Sequence, residues 1–208
     1  MSRQDFFIIY LNKSLISRRD QEYADFLECF NFTKLDCSHV PRSLNVSSFI
    51  QKWISSEKYP VVVVQRINGS IILHQTSYTD DLEKPAWNIP ISFTNSTAQN
   101  FSAEFDYWLL DDNFTVIHNA YAEDDPDSWV LVNAMGKGYY RVNYDLDNWM
   151  AIIKQLKTNH EVFPYTTRAI LIDDVLNLAR MNMLNYSIAF DLLSYLMDKE
   201  VTLHPWLR

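Results

Sequence analysis

The hydrophobic period of this chain changes twice, and the changes divide it into three stretches that cannot share one architecture. From residue 1 to about 58 apolar residues recur at helical spacing: Phe6, Ile9 and Tyr10, then Phe26, Cys29 and Phe30. Asn45-Val46-Ser47-Ser48 then offers N-caps for a one-sided stripe of Phe49, Ile50, Trp53 and Ile54. From 59 to 144 the texture becomes short strand-like runs: Val61–Arg66, Ile71–Tyr78, Ile89–Phe93, Phe101–Leu110, Phe114–His118, Trp129–Asn133 and Tyr139–Tyr144. Turn residues separate them, and Asn68-Gly69 between two apolar runs is the strongest hairpin signal.

From 145 onward the period is helical again. Asp145 or Asp147 can cap a helix carrying Trp149, Ile152, Ile153 and Leu156. Thr166 or Thr167 can start a second, with Leu171, Val175, Leu178 and Met181 on one face and Asp173-Asp174 on another. A third carries Ile188, Leu192, Leu193, Tyr195 and Leu196, with Pro205 as a stop. The expected fold class is α+β in three parts. Helices occupy 1–58, an antiparallel β-sandwich 59–144, and α-helical hairpins that begin an α-solenoid 145–208.

Composition narrows the functions. The chain has 208 residues, is 48% hydrophobic and 14% aromatic, and has only three glycines, so it can bury a core and is no flexible linker. A net charge of −8 argues against nucleic acid, which needs a basic face. The apolar run Val61–Val64 has strand length, far short of a membrane span. The block Phe6–Tyr10 is too short for a signal-peptide core and reads as a helix packed on a neighbour.

Asn-x-Ser/Thr sequons occur at Asn12, Asn31, Asn45, Asn68, Asn95, Asn100, Asn113 and Asn185, whereas chance predicts about two in this composition. That excess points to the secretory pathway, with the targeting segment upstream of residue 1. Cys29 and Cys37, eight positions apart, are disulfide candidates in an oxidising compartment and ordinary thiols in a reducing one.

No catalytic, metal-binding or substrate-binding residue emerges. The five histidines (His39, His74, His118, His160 and His204) are unpaired in sequence, and His160-Glu161 lacks the second histidine four positions on. Gly136-Lys137-Gly138 is too short for a phosphate loop, and no nucleophile elbow or cysteine-protease signature occurs. Asp80-Asp81 and Asp124-Asp125-Pro126-Asp127 read as solvated turns. Arg141 calls for a nearby carboxylate, and Asp173-Asp174 is either a polar helix face or a site.

Five blocks in order carry a resemblance. They are residues 53–65 with Tyr59-Pro60-Val61, then Trp87-Asn88-Ile89-Pro90, Trp129–Asn133, and Gly138-Tyr139-Tyr140-Arg141-Val142-Asn143-Tyr144-Asp145. The last runs from Arg168-Ala169 through Asp173-Asp174 to Leu178-Ala179 and on from Tyr195-Leu196 to Pro205-Trp206. Together they resemble the aminopeptidase N-like zinc metallopeptidases, closely over about residues 46 to 208 and loosely before. The resemblance implies that 1–58 ends a catalytic domain, 59–144 is the β-sandwich and 145–208 begins the C-terminal helical domain. It implies removal of N-terminal residues from peptides by a zinc enzyme. The His-Glu-x-x-His motif and the glycine-methionine-glutamate-asparagine block that hold zinc and substrate amine in that family are absent here. Zinc is therefore implied only for a full-length member, and this chain is expected to be inactive alone.

Three functions compete. The chain is a non-catalytic scaffold region of such an aminopeptidase; or a stand-alone, catalytically dead secreted relative that binds peptides or a full-length aminopeptidase; or a glycosylated interaction module. The first predicts broad apolar faces on residues 1–58 and on the last helical hairpin.

Overall fold

The computed structural model describes residues 59–77, 87–102, 104–110 and 114–207, preceded by Pro41, Leu44, Ser48, Phe49, Lys52, Trp53 and Ser56. The chain divides into two compact units, Met1–Glu57 and Lys58–Arg208. In the first, Ser48, Phe49, Lys52 and Trp53 are helical, and the Phe49 and Trp53 rings meet edge to face at 6.3 Å. This is the four-residue spacing read from the sequence. The disulfide candidates Cys29 and Cys37 and the sequons Asn12, Asn31, Asn45 and Asn113 lie outside the described residues.

The second unit mixes strands and helices, the α+β class. Strands β1 (Pro60–Ile67) and β2 (Ser70–Ser77) form the hairpin that Asn68-Gly69 announces. Both turn residues have positive φ, +48° and +71°, the left-handed pair that matches the twist of the flanking strands. Six shorter strands follow: β3 (Ile89–Ile91), β4 (Phe93–Asn95), β5 (Tyr107–Leu109), β6 (Thr115–Ile117), β7 (Val130–Val132) and β8 (Arg141–Tyr144). They make a four-stranded sheet ordered β6-β2-β1-β8 and two ribbons, β3-β5 and β4-β7. Every pairing is antiparallel except β1 with β8, which runs parallel from Val61↔Arg141 to Val64↔Tyr144. Periodicity cannot reveal that direction, because it reports which face is buried and not which way a partner runs.

Some runs shorten for local reasons. Gln99 and Asn133 adopt left-handed φ of +46° and +55°, which bends the chain out of extended pairing before Phe101 and after Val132. Hence Phe101–Leu110 yields only β5, and Trp129–Asn133 yields only β7.

Helix α1 (Leu146–Asn159) is capped by Asp145, whose Oδ1 accepts from Asn148 N at 2.8 Å; Asp147 lies inside the first turn. A 3-10 turn, His160–Val162, leads to α2 (Tyr165–Arg180). That helix starts behind Pro164 and not at Thr166 or Thr167, because Pro164 already sets the extended entry and Thr167 is buried inside the first turn. Helix α3 (Tyr186–Lys199) is capped by Asn185, and Pro205, expected as a stop, sits within a short α4 (Leu203–Trp206). Proline is tolerated there because first-turn N–H groups have no intrahelical acceptor.

The core is continuous across strands and helices. Trp129, fully buried ahead of β7, meets Phe163 beyond α1 at 4.8 Å, and Tyr144 of β8 meets Trp149 of α1 at 5.1 Å, both edge to face.

One sheet edge is completed by side chains. Backbone groups of Trp129 and Asn133 point from β7 toward β4, so those of Val130 and Val132 face the other way. Asn148 Oδ1 accepts from Val130 N and its Nδ2 donates to Val130 O, both at 2.9 Å. The Tyr144 hydroxyl accepts from Val132 N at 3.0 Å and donates to Val132 O at 3.3 Å. Asn148→Ala strands a buried N–H and a buried C=O, so guanidinium unfolding should show a loss of about 2–3 kcal/mol. A loss below about 0.5 kcal/mol would mean the bonds are dispensable.

Candidate functional site

The octet from Gly138 to Asp145 is where the strand layer meets the helices, and nearly every residue in it makes a specific tie. A Cβ on Gly138 would come within 2.1 Å of Tyr140 Cε1, so only glycine lets the Tyr140 ring lie back over the chain. The buried Tyr140 hydroxyl donates to Pro90 O at 3.1 Å. Asn133 holds the preceding loop closed: its Oδ1 accepts from Gly138 N at 2.8 Å, and its Nδ2 donates to Gly138 O at 3.0 Å and to Tyr140 O at 3.3 Å. Asn143 Nδ2 donates to Met183 O at 3.2 Å, and its Oδ1 accepts from Trp149 Nε1 at 3.1 Å. Asp145, besides capping α1, accepts from Arg66 N at 2.8 Å.

Arg141 is the centre. Its Nη1 lies 2.7 Å from Asp173 Oδ2 and 2.9 Å from Asp174 Oδ1, and its Nε donates to the Tyr59 hydroxyl at 3.1 Å. The guanidinium also stands over the Tyr59 ring, 5.6 Å from its centroid. The carboxylate that the sequence required for Arg141 is thus a pair, one helical turn of α2 brought against β8. Asp174 Oδ2 accepts from Val142 N at 3.2 Å, and Asp173 Oδ1 accepts from Asn177 Nδ2 at 3.1 Å. All four carboxylate oxygens are therefore engaged. Burial pushes the Asp174 carboxyl up to about 7, against the pull of Arg141 and the Val142 N–H. Burial works to lower Arg141, but the Tyr59 hydroxyl and the two carboxylates overcome it and raise it.

A cleft of about 350 Å³ opens beside this cluster, lined by Tyr59, Tyr139 and Ile170 among others. Of its described lining, the charged side chains Arg141, Asp173 and Asp174 are spent on one another. Asp173-Asp174, read from the sequence as a polar helix face or a site, tie α2 to β8 through Arg141 and Val142.

A second charged cluster ties α2 to the end of α3. Arg168 Nε donates to Glu200 Oε2 at 2.7 Å and Nη2 to Glu200 Oε1 at 3.0 Å, while Nη1 donates to Phe163 O at 2.6 Å. Thr202 Oγ1 donates to Glu200 Oε1 at 2.5 Å, and the Tyr195 hydroxyl lies 3.3 Å from Oε2. The Glu200 side chain is 0% exposed and that of Arg168 6%. Burial acts to raise Glu200, but the bonds from Arg168 and Thr202 prevail and hold its carboxyl down to about 2. No local spacing signals a pair 32 residues apart.

Among the described residues no group of three or more His, Cys, Asp or Glu side chains is placed to hold a metal ion. Of the described histidines, His118 Nδ1 lies 3.4 Å from Ser70 Oγ, the His160 ring lies 6.0 Å from Tyr195, and His204 meets Tyr165 at 5.4 Å. His74 sits half-buried in β2, where burial lowers its pKa.

The strand layer and α2 are joined by internally satisfied ion pairs. Residues 129–208 match the ERAP1-like C-terminal domain family. The chain is 33% identical over 199 residues to aminopeptidase N of Plutella xylostella, covering 93% of this chain and 21% of the relative. It is 30% identical over 177 residues to the thyrotropin-releasing hormone-degrading ectoenzyme of Mus musculus (78% of this chain, 16% of the relative). It is also 30% identical over 176 residues to aminopeptidase Ey of Gallus gallus (80% and 17%). The chain belongs to the aminopeptidase N-like family. It spans about a fifth or less of the length of these relatives.

Proposed function

We propose that this chain is a non-catalytic scaffold region of a zinc aminopeptidase that removes N-terminal residues from peptides. On this reading residues 1–58 close a catalytic domain, 59–144 form its β-sandwich and 145–208 open its helical domain. The observation that carries it is the contrast between two surfaces. The β8–α2 joint is internally satisfied, while the outer face of the last hairpin is apolar and open. Tyr186, Phe190 and Met197 stand at helical spacing on α3 and are 48%, 64% and 80% exposed. Beyond the helix, Val201, Leu203 and Leu207 are also exposed, at 89%, 71% and 68%. A run of large exposed apolar side chains exceeds what isolated soluble surfaces normally carry and fits a face that packs on further protein.

Work in the secretory pathway or at the outer cell surface follows from the eight sequons and from the word ectoenzyme in one relative's name. Among the described residues no helix is long and apolar enough to cross a membrane. Peptides or a full-length aminopeptidase would be the partners under the alternative, a stand-alone catalytically dead relative.

Two experiments test it. Purified full chain, with and without added zinc, should release no N-terminal residue above blank; robust chelator-sensitive turnover would sink the proposal. An antibody to residues 60–145 should detect, in source tissue after glycosidase treatment, a product several times larger than 24.5 kDa. A band near 24.5 kDa would instead favour the stand-alone binding relative.

A further inference from the structure

Four of the eight sequons fall on described residues, and their asparagine amides are in two different situations. Asn68 is exposed at the tip of the β1–β2 hairpin. Asn100 is exposed in the turn after β4, where its Oδ1 accepts from Ser102 N at 3.2 Å. Asn185 is exposed at the start of α3, where its Oδ1 accepts from Ser187 N at 2.9 Å. In the last two the structural bond uses the carbonyl oxygen, which N-glycosylation leaves in place. The nitrogen that would carry a sugar is not part of the bond.

Asn95 differs. It is half-buried at the end of β4, and both ends of its amide are engaged. Oδ1 accepts from Thr97 N at 3.1 Å and from Ala98 N at 2.7 Å, while Nδ2 donates to Ala120 O at 2.8 Å. The amide is planar, so fixing Oδ1 against two N–H groups fixes Nδ2 as well. N-glycosylation leaves one hydrogen on Nδ2, so a sugar there either displaces the hydrogen held by Ala120 O or stands beside that bond, crowded by a half-buried residue and fully buried Ala120. An Nδ2 glycan meets exposed surface at three of these positions and a half-buried, hydrogen-bonded nitrogen at the fourth.

Resting on the secretory-pathway reading above, we propose that the folded protein carries N-linked glycans at Asn68, Asn100 and Asn185. The Asn95 sequon stays unmodified because its side chain is a structural clamp between β4 and the Ala120 loop. Transfer occurs on the unfolded chain, so the structure acts as a filter: molecules modified at Asn95 must fit a sugar beside the Nδ2–Ala120 bond and are retained in the cell.

The test is to express the full chain behind a heterologous secretion signal in insect cells. Soluble product is treated with an amidase that releases N-glycans in heavy-oxygen water, and peptides are read by mass spectrometry. Label is expected at Asn68, Asn100 and Asn185 and absent at Asn95. Thr97→Ala, which erases the sequon but keeps the clamp, should leave total glycan mass unchanged. Asn95→Gln should lower secreted yield several-fold although it removes the same sequon. Label at Asn95 in soluble product, loss of one glycan's mass in Thr97→Ala, or an unlabelled Asn68, Asn100 or Asn185 would overturn the assignment. The borrowed signal separates this from the localisation reading. Native protein bare at every sequon, alongside the three-of-four pattern in the secreted form, would refute only the latter.

Discussion

Arg168→Ala should cost about 3–5 kcal/mol of folding stability, the range for breaking a buried ion pair from one side. Glu200 would remain with no exposed side-chain surface, keeping only Thr202 and Tyr195 as polar neighbours. The Phe163 carbonyl would lose its 2.6 Å donor as well. Arg168→Met combined with Glu200→Leu should recover much of that loss, because a well-packed apolar pair escapes the desolvation that the ion pair must overcome. Glu200 also fixes a pH signature. Its folded pKa lies below the unfolded value, so its contribution is complete above about pH 4.5 and disappears as pH falls toward about 2. Glu200→Gln should flatten that acid limb in guanidinium unfolding curves. A deficit under about 1 kcal/mol in Arg168→Ala, the size of a surface pair, would mean water reaches the carboxylate.

Arg141→Met should cost a similar amount, about 3–5 kcal/mol at alkaline pH, but with the opposite pH dependence. Asp174 is raised by burial, so between about pH 4 and about pH 7 the folded state binds more protons than the unfolded state and stability falls as pH rises. In the wild type that fall ends near pH 7, where Arg141 supports the ionised form. Without Arg141 only the Val142 N–H still opposes burial and the neighbouring Asp173, so the pKa of Asp174 climbs further and the fall continues. The gap between variant and wild type should therefore widen above about pH 7, and adding Asp174→Asn should abolish the widening. A gap independent of pH from 5 to 9 would show that Arg141 serves the joint by packing alone.

The parts of this architecture written in local chemistry are legible in the sequence. Asn68-Gly69 specifies its turn because both residues tolerate positive φ, and the Val61–Val64 run reads as a strand because three of its four side chains are fully buried. The charge on Arg141 announces a carboxylate without saying which, since the answer lies 32 and 33 residues downstream. The parallel direction of β8, the Asn148 clasp on Val130 and the Arg168–Glu200 pair leave no local trace. They depend on segments brought together only when α1 and α2 pack on the strands. Pro164 as a helix entry and Pro205 within one are missed for a related reason. Proline reads as a breaker in sequence, yet at a helix start it removes a donor that had no acceptor.

The side-chain clasp on β7 bears on how the molecule behaves in crowded company. A bare strand edge is a template on which another chain can add, the route to domain exchange and fibrous assembly. Here Asn148 and Tyr144 occupy the outward-facing amides and carbonyls of Val130 and Val132, one of them anchored in a helix that cannot be lengthened into a strand. Helix α1 thus works as a stopper: while it is docked, the β4–β7 ribbon has no open side at β7 for a foreign strand. The risk of polymerisation at that edge arises only in molecules where α1 has come away.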